Sequence, residues 1–199
     1  MCDHVMTQQP LLSVMRTSTL QPLSTTLKPL SSTQLNSIQS PIFISFTKTI
    51  QFTMPKFTIQ DVLPLPHSPV KIPRIGFGVY LSPPNQCVKS CLAALNTGYR
   101  HIDTAKLYGN EEEVGEAVRQ SGLKRSDVFI TTKIIRPEGN IETTLESLRA
   151  SVQRIGLGWV DLFLIHSPTS GPDGRREMWE ALEKLKSEGG AKNIGVSNL

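Results

Sequence analysis

The chain has 199 residues, enough for one domain with a buried core and an appendage. It carries 21 Lys and Arg against 17 Asp and Glu, a formal net charge of +4, but no cationic stripe, which argues against a nucleic-acid partner. No apolar run reaches the roughly eighteen residues of a membrane span, so no membrane partner is expected either.

Residues 1–53 differ in composition from the rest. They hold 17 Ser or Thr, one acid (Asp3) and four prolines, whereas all 14 glycines lie at Gly76 or beyond. Apart from Pro41-Ile42-Phe43-Ile44-Ser45-Phe46, no apolar period is sustained. An acid-poor, Ser/Thr-rich segment is half of a transit-peptide signature, but the Arg-rich amphipathic helix is absent. The expectation is a disordered or non-native N-terminal extension over 1–53, ahead of organellar targeting, and a domain over 54–199 opening at Met54-Pro55-Lys56-Phe57.

Between Phe57 and Ile75 the prolines are too frequent for a central strand and point to a short hairpin or extended lead-in. Ile75-Gly76-Phe77-Gly78-Val79-Tyr80 is the first expected sheet strand. A helix follows Pro83-Pro84, with Asn85 as cap and Val88, Cys91, Leu92 and Leu95 inward. Three cysteines are present, Cys2, Cys87 and Cys91. Cys87 and Cys91 share a helix face without a partner pair, which reads as small apolar packing rather than a metal site or a disulfide framework.

A second strand covers Arg100 to Ala105, and a second helix opens at Asn110 with Glu113 in a capping-box position. Val128–Lys133 is a third strand. Ile141, Leu145, Leu148, Val152 and Ile155 mark a third helix. Val160–His166 is a fourth strand, Met178, Leu182 and Leu185 mark a fourth helix, and Asn193–Ser197 is a fifth strand. Alternating strands and helices predict a parallel sheet with right-handed crossovers, either doubly wound or a (β/α)8 barrel; periodicity does not separate the two. A nucleotide-binding doubly wound sheet wants a third glycine after Gly76-Phe77-Gly78, and none stands there.

The polar residues fall in phase at the C-terminal strand ends: Asp103 with Tyr108 beyond it, Lys133, His166, and Ser197-Asn198. Each alone has a bland reading, such as a solvated lysine, a core histidine or a packing tyrosine. Together at one edge they suit an active site.

The run Gly98-Tyr99-Arg100-His101-Ile102-Asp103-Thr104-Ala105, followed by Tyr108-Gly109-Asn110-Glu111, Val114-Gly115 and Ala117, resembles the signature of the aldo-keto reductase family. The resemblance extends over about residues 57–199. It implies an α/β fold of the (β/α)8 TIM-barrel type, truncated after about five strand–helix units, since such a barrel takes about 250 residues. It implies a catalytic tetrad of Asp103, Tyr108, Lys133 and His166, with Tyr108 as proton donor, Lys133 tuning it and His166 orienting the substrate carbonyl. It also implies NADP(H) as cofactor, held near the nicotinamide by Val79, Tyr80, Asp103, Ser197 and Asn198. The chemistry is coherent: hydride arriving at a carbonyl carbon leaves charge on oxygen, which needs a proton and donors in place. A phenol, with a pKa of about 10, needs a neighbouring cation to serve near neutrality.

The expected function is therefore reduction of small aldehydes or ketones by a cytoplasmic oxidoreductase. This chain itself is expected to be an incomplete or inactive fragment, because the family's phosphate and adenosine contacts come from strands beyond the fifth. Open sheet edges are expected at its first and fifth strands. The alternative is a non-catalytic protein of the same fold serving in binding or regulation.

Overall fold

The computed structural model describes residues 56–198; the segment expected to be an N-terminal extension lies outside them. The lead-in is a hairpin, as the prolines suggest: β1 (Val62–Pro64) pairs antiparallel with β2 (Lys71–Pro73). It lies near the N-terminal strand ends, where Gln60 donates to the Gly98 carbonyl at 3.2 Å and Ile59, Val62 and Pro73 line a recess with Arg100, Val128 and Phe129.

Four strand–helix units and a final strand follow. They are β3 (Phe77–Gly78), α1 (Pro84–Asn96), β4 (His101–Asp103), α2 (Glu111–Gln120), β5 (Phe129–Ile134), α3 (Ile141–Ile155), β6 (Val160–Ile165), α4 (Gly171–Ser187) and β7 (Ala191–Val196). The five sheet strands stand in chain order and every neighbouring pair is parallel. Each helix packs on the next, so α1 to α4 form one continuous layer. Sequential order with a single helix layer is barrel winding; a doubly wound sheet reverses its order and covers both faces. The observed fold is thus α/β of the TIM-barrel type. Among the described residues, β3 and β7 each pair on one side only. No described helix is long and apolar enough to cross a membrane.

β5 shows how the pattern works. All six of its residues are buried, one face under the helices and the other among side chains of the neighbouring strand β4. Ile130 and Ile134 join Ile102 of β4 and Phe163 and Ile165 of β6 in the core against the helices. Successive side chains alternate faces, so Phe129, Thr131 and Lys133 lie on the opposite face. His101 is there too, its ring edge-on to Phe129 at 4.9 Å and its Nε2 2.9 Å from Thr131 Oγ1.

The helices bury what their periods predict, with local differences. α3 buries Leu145, Leu148 and Ile155 and is capped by Asn140, whose side chain accepts from the Glu142 and Thr143 backbone N–H groups at 3.0 Å. α4 buries Met178, Leu182 and Leu185. In α1 the inward face is turned slightly: Cys87, Cys91, Ala94 and Leu95 are buried, whereas Val88 and Leu92 pack at the margin. Pro83, not Asn85, stands at its N-cap. Cys87 and Cys91 are buried free thiols with sulfurs 4.0 Å apart. The first sheet strand is shorter than the apolar run suggests, because after Val79, whose N–H still donates to the Asp103 carbonyl at 3.1 Å, the chain turns and reaches Leu81 with φ of +60°.

Where α2 crosses α3 the helices approach through Gly115. A Cβ added there would stand 1.7 Å from the Ile155 carbonyl oxygen, a contact that only movement of the backbone could relieve. We predict that Gly115→Ala destabilises the fold by on the order of 3 kcal/mol. Gly78→Ala, whose Cβ would meet open space, should cost far less. Denaturant unfolding checks this, and equal midpoints for the two variants would disprove the close approach.

Candidate active site

The C-terminal tips of the sheet strands form one mouth, and β4 and β5 set its centre. In their register Asp103 stands beside Thr131, so Lys133, two residues further along the same face, leans back over the end of β4. Its ammonium donates to Asp103 Oδ1 at 2.5 Å, to the Thr104 carbonyl at 3.0 Å and to the Tyr108 hydroxyl at 3.4 Å. Three N–H bonds meet three oxygens. The side chain is 8 % exposed, and a buried ammonium is tolerated only when its hydrogens are all used and a carboxylate balances it.

Tyr108 is brought in by the turn after β4. Lys106–Tyr108 make one turn of 3-10 helix, closed by Gly109 with φ of +67°, a left-handed conformation that favours glycine. The phenol oxygen stands between two groups: Lys133 Nζ on one side and His166 Nε2, 3.5 Å away, on the other. The tyrosine ring meets the His166 ring edge-on at 5.6 Å and lies against Tyr80 at 5.0 Å.

His166 continues β6 by one residue, donating its backbone N–H to the Ile134 carbonyl. Burial holds its imidazole below the ordinary range, the Lys133 ammonium pushes the same way and Asp103 opposes them. The ring is therefore neutral at neutral pH, with one N–H to place. Nδ1 is buried without a partner among the described residues, so that proton is better used at Nε2, facing the phenol oxygen.

The residues expected at the nicotinamide end are distributed differently. Ser197 and Asn198 follow β7 at the adjoining tip, and Asn198 donates to the His166 carbonyl at 2.7 Å and to Ser197 Oγ at 2.9 Å. Tyr80 is exposed over the mouth. Val79 turns its side chain into the hydrophobic core, which leaves its backbone as the part nearest the mouth. The structure thus unites Asp103, Tyr108, Lys133 and His166, joins Ser197 and Asn198 to them through the His166 backbone, and keeps the Val79 side chain apart.

Two buried residues of the centre, Asn110 and Glu111, belong to the family-like stretch of the sequence, where Asn110 is read as a helix start and Glu111 is given no role. Asn110 does not cap α2 with its side chain, contrary to the capping-box expectation. Its amide turns to the tips of β3 and β4 instead, donating to the Val79 and Ser82 carbonyls at 2.9 and 3.2 Å and accepting from Thr104 Oγ1 at 2.7 Å. Glu111, also buried, accepts from Thr132 Oγ1 at 2.6 Å and from Arg154 at 2.6 Å, which fastens the start of α2 to β5 and α3. Their place in that stretch, directly after Tyr108-Gly109, is the sequence signal that could have marked them.

His101 is likewise held below the ordinary imidazole range, chiefly by burial, against the pull of Asp103 and Asp161. For both histidines the unfolded chain binds protons that the folded one refuses. Stability therefore rises with pH through the window just below the unfolded imidazole value of about 6.5, and falls on acidification through it. We predict a melting temperature that drops between about pH 6.5 and pH 5, above the carboxylate range. The slope should be smaller in His101→Gln. A flat profile over that window would contradict the assignment.

The model of the "Aldo/keto reductase family" matches residues 75–199. An aldo-keto reductase of Mycobacterium sp. (strain KMS) is 43 % identical over 128 residues, 64 % of this chain and 46 % of that protein. Glyoxal reductase of Bacillus subtilis (strain 168) is 42 % identical over 143 residues, 71 % of this chain and 51 % of that protein. Among solved structures, an aldo/keto reductase from Brucella melitensis superposes with a TM-score of 0.66 at 43 % identity, covering 70 % of this chain and 54 % of that one. A Bombyx mori aldo-keto reductase in complex with NADP gives 0.63 at 27 % identity, covering 70 % and 51 %. The chain spans about half the length of the curated relatives it matches. With more than half of its residues under the family model and the barrel winding to match, the chain belongs to the aldo/keto reductase family.

Proposed function

We propose that the protein reduces small aldehydes or ketones to alcohols with NADP(H), Tyr108 giving the proton. The observation that carries this reading is the place of the Tyr108 hydroxyl, between the ammonium of Lys133 and the Nε2 of a neutral His166. The bound nicotinamide would supply the hydride. The remaining tasks fall to residues of this chain.

As the carbonyl oxygen gathers charge, Tyr108 O–H transfers its proton to it. The Lys133 ammonium stabilises the charge left on the phenol oxygen, and Asp103 keeps the ammonium in place. His166, with its proton at Nε2, donates to the substrate oxygen and orients it. The exposed ring of Tyr80 forms a wall of the mouth beside Tyr108.

The donor and acceptor at the β7 tip fit a carboxamide. Ser197 offers a hydroxyl, and Asn198, its amide hydrogens already directed to His166 and Ser197, keeps its side-chain oxygen free to accept. These two residues would hold the nicotinamide end, with Asp103 and the Val79 and Tyr80 backbone at its margin. The preference for NADP over NAD draws its support from the NADP complex of the Bombyx mori relative. The reading carries with it a cytoplasmic location and a small-molecule partner rather than a nucleic acid or a membrane.

The test is reduction of a small aldehyde by the full chain, followed through NADPH consumption. Tyr108→Phe should lose turnover by about 10²–10⁴-fold while still binding NADPH, and Lys133→Met should follow it. Unchanged turnover in Tyr108→Phe removes Tyr108 from its role. A wild-type chain that consumes neither NADPH nor NADH with any aldehyde or ketone removes the reductase reading for this chain and favours the non-catalytic alternative.

A further inference from the structure

Asn110 departs from the rule its sequence position suggests. An Asn directly before a helix normally accepts from backbone N–H groups of the first turn, as Asn140 does for α3. Asn110 leaves the first turn of α2 without a side-chain cap. Three acidic residues there, Glu111, Glu112 and Glu113, favour the positive end of the helix dipole and offset the loss in part.

The amide is fully buried and every strong bond it makes goes elsewhere. Both Nδ2 hydrogens reach carbonyls, Val79 at 2.9 Å and Ser82 at 3.2 Å. Oδ1 accepts from Thr104 Oγ1 at 2.7 Å. These partners all border the site. Val79 and Ser82 flank Tyr80, whose ring lies against Tyr108. Thr104 follows Asp103, and its carbonyl accepts from Lys133. Asn110 itself comes two residues after Tyr108, across Gly109. One amide thus joins the tip of β3, the tip of β4 and the turn that carries the phenol.

We propose that Asn110 is a positioning residue, which fixes the Tyr108 turn against the β3 and β4 tips and so sets the phenol beside Lys133. Its kinetic consequence rests on the reading of Tyr108 as proton donor; its structural consequence does not. No other residue type serves equally. Aspartate is isosteric but would aim a carboxylate oxygen, in place of Nδ2, at two carbonyl oxygens, and alanine removes all three bonds. Glu111 does not substitute, since it secures the start of α2 to β5 and α3 and leaves the mouth side of the turn untied.

The test is nitration of the full chain with tetranitromethane, read at each tyrosine by mass spectrometry. Tyr99, half-buried and edge-on to Phe77 at 6.1 Å, has no part in the clamp and is the internal reference. Asn110→Ala should raise Tyr108 nitration relative to Tyr99 by about tenfold, as the loss of buried hydrogen bonds implies. Thr104→Val, which removes only the donor to Oδ1, should raise it less, and Thr104→Ser should restore the wild-type ratio. The Thr104 pair decides the matter if Asn110→Ala does not fold.

In an active enzyme Asn110→Ala should also lower kcat by about ten- to a hundredfold with KM shifted less than about threefold. The proposal is overturned by a Tyr108-to-Tyr99 ratio that stays at the wild-type value, by equal rises at both tyrosines, or by an unchanged kcat in an enzyme whose Tyr108→Phe variant has lost turnover. Absence of carbonyl turnover in the wild type counts against the reductase reading alone and leaves the nitration ratios to decide this one.

Discussion

A buried ammonium sets the terms for the rest of this molecule. With so little of its side chain in water, Lys133 needs each of its ammonium hydrogens to find an oxygen and one of those oxygens to carry charge. Asp103, the Thr104 carbonyl and the Tyr108 hydroxyl meet that requirement. They come from one strand end and the turn beyond it. The requirement therefore fixes β4 next to β5 in the register that pairs Asp103 with Thr131. A slip of one residue would turn Lys133 into the helix layer, where Ile130 and Ile134 belong.

The sheet serves packing and site with the same residues. Along β5 one alternation fills the core against α2 and α3, and the other carries His101's partner Thr131 and then Lys133. The helix layer keeps this arrangement rigid where it matters. Gly115 lets α2 lie close on α3, and Glu111 bonds to Thr132, the neighbour of Lys133, from the same helix start that follows Tyr108. The phenol and the ammonium are thus held by elements that are themselves tied together one residue away.

Asn110 marks the point where local and global demands conflict. Local propensity asks it to cap a helix, and the fold uses it to join three loops instead. Such departures from local consistency are tolerated where the surrounding structure supplies a compensating network, and here three hydrogen bonds of the buried amide replace the cap.

The sequence by itself determined the alternation of strands and helices, the apolar faces of α3 and α4, and the four polar residues in phase at the strand tips. All of these are local patterns: a period of two or of 3.6, or a residue at the end of a run. It also determined, through the stretch from Gly98 to Ala117, which family the chain resembles. Tertiary structure alone decided three things. Barrel winding replaced a doubly wound alternative because strand order is a property of which strands pair, and no local period encodes it. Val79 turned into the core and Cys87 displaced Val88 on the buried face of α1 because the neighbouring layers select the face. Asn110 and Glu111 stand in the stretch from Gly98 to Ala117, but what they bond was decided by the fold, because their partners lie up to 43 residues away in the chain.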